Sequence, residues 1–82
     1  MSPTAERIDS LILAFLRRRL PDIGAADLHK SIYDLDVDSL DVVDLTHELE
    51  SEFAVKADLD RVSDCGTWTQ YRAYIRELID AP

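Results

Sequence analysis

Apolar residues near the start of the chain recur at helical spacing. Ile8, Leu11, Ile12, Phe15 and Leu16 stand at i, i+3, i+4, i+7 and i+8, which is one face of an amphipathic helix. Ser2 before Pro3 predicts its start, a cap residue followed by the proline favoured at the first helical position, and Pro21 and Gly24 predict its end. Between residues 20 and 37 no period is sustained, but Ile23, Leu28, Ile32 and Leu35 are placed to pin a long crossover to a core. Residues 38–53 are helical again. The connector 54–63 has room for one short turn at 59–62, and Thr67 predicts the cap of a last helix bearing Trp68, Tyr71, Tyr74, Ile75, Leu78 and Ile79. No segment alternates with the period of a strand. The pattern predicts an all-α four-helix bundle of three long helices and one short one.

The second of these helices has apolar residues on two opposite sides. At about 100° per residue, Val42, Leu45, Leu49 and Phe53 fall within an arc of roughly 80°, the stripe expected to face the core. Leu40, Val43 and His47 fall on the far side. Asp41, Asp44, Glu48 and Glu52 fill an arc of roughly 80° between the two, so one flank reads as continuously acidic. An apolar strip beside a row of acids, both turned away from the core, is expected to be a docking surface. Isolated exposed apolar residues are ordinary, but these are aligned with one another and with the acids.

Charge sharpens that expectation. Seventeen acids against nine Lys and Arg among 82 residues give a net charge of −8. Nucleic acid and anionic membrane both demand a basic surface, so neither is expected as a partner; basic protein patches are. No stretch approaches the roughly 20 apolar residues that span a bilayer. The first residues carry no basic start and no apolar signal core, and the lone cysteine, Cys65, fits a reducing compartment. The expectation is a cytoplasmic, monomeric, single-domain protein over residues 1–82, with Cys65 a small buried apolar residue. Arg17-Arg18-Arg19 is expected to complement the negative end of the first helix.

Ser39 is the candidate for chemistry. Serine at a helix start is ordinarily a cap, but Asp38 immediately before it caps as well and leaves the Ser39 hydroxyl free. A helix N-terminus offers unpaired amides and a positive dipole end, which favour a phosphate attached there.

The run Leu35-Asp36-Val37-Asp38-Ser39-Leu40-Asp41, continued by Asp44-Leu45, Leu49-Glu50 and Glu52-Phe53, resembles the phosphopantetheine attachment region of acyl carrier proteins. The resemblance extends over essentially the whole chain. It implies that Ser39 carries 4′-phosphopantetheine delivered from coenzyme A by a phosphopantetheinyl transferase, and that acyl groups ride on its thiol as thioesters. It implies too that the chain is a carrier and not an enzyme. Acyl-loading and acyl-processing enzymes with basic docking patches would then read Asp38, Leu40, Asp41, Val43, Asp44, His47 and Glu48. Fatty acid, polyketide or related specialised synthesis would be the setting, and a peptidyl or aminoacyl carrier is the neighbouring alternative. The chain departs from the family pattern at Asp36 and Ala54, where glycine is usual, at His47, usually apolar, and at Trp68, usually a smaller aliphatic residue. These departures point to a specialised member.

Other readings are weaker. Asp34, Asp36 and Asp38 match the first three ligand positions of a calcium loop, but Ser39 stands where the turn glycine belongs and Leu45 where the bidentate glutamate belongs. A nucleophilic Ser39 would need a base, and of the two histidines, His29 and His47, the latter stands two turns along the helix. An unmodified interaction module would not need the intact Asp38-Ser39-Leu40. Trp68, Tyr71, Tyr74 and Phe53 bear on cargo: if these rings fill the bundle, a long acyl chain finds no room and the cargo is short, polar or held outside; if Trp68 instead walls an enlarged pocket, a long chain enters.

Overall fold

The computed structural model describes residues 3–35 and 37–80. The Ser2 cap and the departure at Asp36 therefore lie outside the described residues. Helix α1 spans Pro3–Leu16, α2 Ser39–Phe53, α3 Leu59–Asp64 and α4 Trp68–Asp80, with two 3-10 turns, Ala25–His29 and Ile32–Leu35, in the crossover between α1 and α2. The expected all-α bundle of three long helices and a short one is what forms.

Helix α1 ends at Leu16, several residues before Pro21. The amides of Arg18 and Arg19 donate to the carbonyls of Phe15 and Leu16 at 3.2 and 3.1 Å, tightening the backbone to i−3 bonds. The arginine run thus lies just beyond the helix, in an exposed turn, and not in its last turn as the sequence suggested. The crossover is pinned as expected. Ile23, Leu28 and Ile32 are buried and Leu35 packs against the same cluster. Among the described residues no strand forms, but an isolated antiparallel bridge joins Ser31 to Thr67. The Ile32 amide donates to the Gly66 carbonyl at 3.1 Å, which fastens the crossover to the entry of α4.

Each later helix begins on a side-chain cap that satisfies amides with no intrahelical partner. Asp38 accepts from the Asp41 amide at 2.9 Å, Asp58 from the Asp60 amide at 3.0 Å, and Thr67 from the Gln70 amide at 3.1 Å. Gln70 returns the bond by accepting from the Gly66 amide at 2.8 Å. With Asp58 as cap, α3 extends to Asp64, half a turn beyond the expected segment. Helix α2 ends at Ala54 with φ 54° and ψ 44°, the left-handed conformation that glycine adopts without penalty.

The core is built around α4. Trp68 and Tyr71 are fully buried, their rings edge to face with centroids 5.7 Å apart. Around them lie Ile8 and Ile12 of α1, Leu28 and Ile32 of the crossover, and Leu45 and Leu49 of α2. Val42, Leu45 and Leu49 face inward as the stripe predicts, whereas Phe53 is only half-buried at the helix end. Thr46 is fully buried too, a polar residue that the apolar stripe did not include. Cys65 is buried with its thiol directed at the Arg61 carbonyl, 3.4 Å away, and burial pushes the thiol pKa up, as befits an inert packing residue.

Candidate functional site

Ser39 is the first residue of α2, reached through an extended Asp38 with φ −102° and ψ 176°. Around it a reciprocal pair closes the helix entrance. Asp38 Oδ1 accepts from the Asp41 amide at 2.9 Å, and Asp41 Oδ2 accepts from the Asp38 amide at 3.2 Å. These capping bonds are supplied by Asp38 and Asp41, without the Ser39 hydroxyl. Ser39 is exposed and its hydroxyl makes no hydrogen bond to any described residue. A nucleophilic oxygen is thus presented to solvent at the positive end of a helix dipole, as a tethered phosphate needs.

Beyond Ser39 the far side of α2 opens to solvent. Leu40 is 72 % exposed, more than any other large apolar side chain among the described residues. Val43 is half-buried, and Asp44 and His47 are exposed. Neither Asp44 nor His47 makes an ion pair with any described residue.

The acid flank differs from the expectation. Three of its four members are not turned to solvent alone; they are held by arginines from α1 and the turn after it. Asp41 pairs with Arg19, Glu48 with Arg18 at 2.9 Å, and Glu52 with Arg7. The physical reason lies in the helical wheel. Asp41, Glu48 and Glu52 sit nearest the core stripe and so face the neighbouring α1. Asp44 lies on the edge nearest Leu40, roughly 40–80° further from the core stripe, and escapes. Asp41 is held below the ordinary carboxylate range, first by the Asp38 amide and then by the Arg19 guanidinium. Arg7 and Arg18 are seated besides over the rings of Phe53 and Phe15, 4.9 and 5.1 Å from their centroids, a contact that favours a cation.

These arginines are the residues that reading the sequence missed. For Arg18 and Arg19 the signal was present as Arg17-Arg18-Arg19, a basic run in a strongly acidic chain, but the partners lie far along the sequence; Arg7 stands apart from that run. Arg17 takes a different course and donates to the Ile23 carbonyl at 3.2 Å. Of the three aspartates at the calcium-loop positions already set aside, Asp36 lies outside the described residues, and Asp38 is engaged in the cap. Among the described residues no three His, Cys, Asp or Glu side chains gather as metal ligands.

A family model described as a phosphopantetheine attachment site matches residues 6–75. The chain belongs to this family. An acyl carrier protein of Zymomonas mobilis is 36% identical over 77 residues, which cover 94% of this chain and 96% of that one. An acyl carrier protein of Thermotoga maritima is 51% identical over 45 residues, covering 51% of this chain and 56% of its own length. That match spans little more than half of either protein. No solved structure matches the chain.

Membership implies a phosphopantetheine prosthetic group and the part of a carrier. The residues at the head of α2 fit such a group: one hydroxyl is exposed and unbonded, and the flanking aspartates satisfy the cap without it. No helix among the described residues is long and apolar enough to cross a membrane.

Proposed function

We propose that this chain is a cytoplasmic acyl carrier whose Ser39 bears 4′-phosphopantetheine and whose second helix presents the loaded arm to acyl-processing enzymes. The observation that carries the reading is the exposed, unbonded Ser39 hydroxyl at the first position of α2, in a member of a phosphopantetheine attachment family. Asp38 and Asp41 hold the backbone there without the Ser39 hydroxyl, so the helix start does not depend on whether that oxygen is substituted. The amides of the first turn and the dipole behind them offset part of the charge of a phosphodiester. When attached, the group supplies a thiol on which an acyl unit travels as a thioester.

Leu40, Val43, Asp44 and His47 form the face left open to a partner, directly beyond the attachment point. Leu40 is the natural anchor, since a large apolar side chain exposed beside charged neighbours gains most by burial against another protein. The setting is fatty acid, polyketide or related specialised synthesis.

Mass spectrometry after incubation with coenzyme A and a phosphopantetheinyl transferase tests the reading. One arm should be added, on Ser39, and Ser39→Ala should remain unmodified while keeping its helical circular dichroism. Modification of the alanine variant, or a label mapped to Ser31 or Ser51, would refute the assignment.

A further inference from the structure

The ion pairs along the seam between α1 and α2 change what a partner meets there. In all three the guanidinium is the more exposed member. Side-chain exposure is 60% for Arg19 against 17% for Asp41, 64% for Arg18 against 47% for Glu48, and 58% for Arg7 against 45% for Glu52. A basic side chain approaching these acids finds each already paired with a guanidinium. The ring contacts of Arg7 and Arg18 give two of the arginines a second reason to stay in place. Arg18 and Glu48 also flank a groove of about 270 Å³ between the helices, floored by Leu11, Phe15, Leu45 and Leu49, so the pair bridges the seam. Asp44 has no such cover.

We propose that Arg18 and Arg19 are internal competitors for the acid flank of α2, and that docking is thereby confined to a narrow patch of Leu40, Val43, Asp44 and His47. The partner that fits is a protein offering an apolar contact to Leu40 and a single cationic side chain to Asp44. A row of basic residues aligned with the whole flank fits less well, because it must displace two guanidinium groups before it reaches Asp41 and Glu48. The inference rests on the carrier reading for the identity of the partners, but the competition itself is a property of the chain.

Two measurements test it. The first is kcat/KM for arm transfer by a phosphopantetheinyl transferase with a basic docking surface, at low salt. Asp44→Asn should lower it about two- to fivefold, the range of one exposed ion pair. Arg18→Ala with Arg19→Ala should raise it about three- to tenfold, the range over which exposed ion pairs act, and should steepen its fall with added salt. Adding Glu48→Gln to the arginine pair should remove part of the gain. The glutamine versions of both arginines, which keep most of the side-chain packing, should behave as the alanines do.

The second measurement is hexalysine binding followed by amide shifts of the unmodified protein, which does not involve Ser39. The arginine double variant should bind several-fold tighter, with the largest new shifts at Asp41 and Glu48. An arginine variant that transfers no faster than wild type and binds hexalysine no tighter overturns the competition. An unchanged Asp44→Asn rate overturns the single-anchor patch. A wild type that takes no arm, alongside the expected hexalysine result, would discard the carrier reading and leave the competition standing.

Discussion

The hydroxyl of Tyr71 meets the hydroxyl of Thr46 at 2.8 Å inside the bundle, across the packing of α4 on α2. Thr46 Oγ1 also lies 2.7 Å from the Val42 carbonyl. A carbonyl can only accept, so the threonine proton is committed to it and Tyr71 must be the donor to Thr46. Both side chains are fully buried, and burial pushes the Tyr71 hydroxyl pKa well above its ordinary value.

This pair makes an asymmetric prediction. Thr46→Val strands the buried Tyr71 hydroxyl and should cost about 1–3 kcal/mol, whereas Tyr71→Phe removes the donor and should cost about 1 kcal/mol. The double variant should lose less than the sum, because no unpaired hydroxyl then remains. Urea unfolding of the four proteins measures the coupling, and strict additivity would show that the contact is absent in solution.

Ala54 ends α2 in the left-handed region, where a side chain costs about 1–2 kcal/mol. Glycine relieves that strain but adds about 0.4–1 kcal/mol of unfolded-state entropy. The net expectation for Ala54→Gly is a gain of roughly 0.5–1 kcal/mol, read as a rise in melting temperature. A destabilised glycine variant would mean that the strain is not there.

Asp41 supplies a pH dependence. Its folded-state pKa is depressed below 3.8 by the Asp38 amide first and Arg19 second. The carboxylate therefore contributes stability that is fully present above the unfolded-state value and is lost as pH falls through the folded-state value. Asp27, depressed by the Gly24 amide and then Lys30, adds to the same acid limb. Stability should fall as pH drops below about 4, and Asp41→Asn should flatten that limb by losing the carboxylate's contribution in the neutral range, so that variant and wild type converge in acid. Equal acid sensitivity in the asparagine variant would assign the limb to other groups.

Cargo should stay outside the bundle when it is long. Trp68 and Tyr71 occupy the centre with no exposure, and forcing extra volume into such a core costs about 1–3 kcal/mol. Attaching a long acyl chain to the arm should therefore leave tryptophan emission almost unmoved and give little thermal stabilisation. A large emission shift with a marked rise in melting temperature would show that the rings part to admit the chain.

The elements and the candidate site were legible in the sequence because their signals are local. Apolar spacing of three and four residues marks each long helix, and the caps Asp38 and Thr67 act on amides three residues ahead. The Asp-Ser-Leu run with its acidic sequel is likewise contiguous. The wheel of α2 could order the acids around the axis, but it could not say which flank α1 would cover. That choice belongs to packing between residues far apart in the chain. The pairs Arg19–Asp41, Arg18–Glu48 and Arg7–Glu52 span 22, 30 and 45 positions, and Thr46 and Tyr71 are 25 apart. No local period encodes such separations. The acidic residues, the serine and the exposed Leu40 were determined by the sequence alone, and the tertiary structure decided that Asp44 is the acid of that flank left without a cation, since only the docking of α1 brings the arginines to the others.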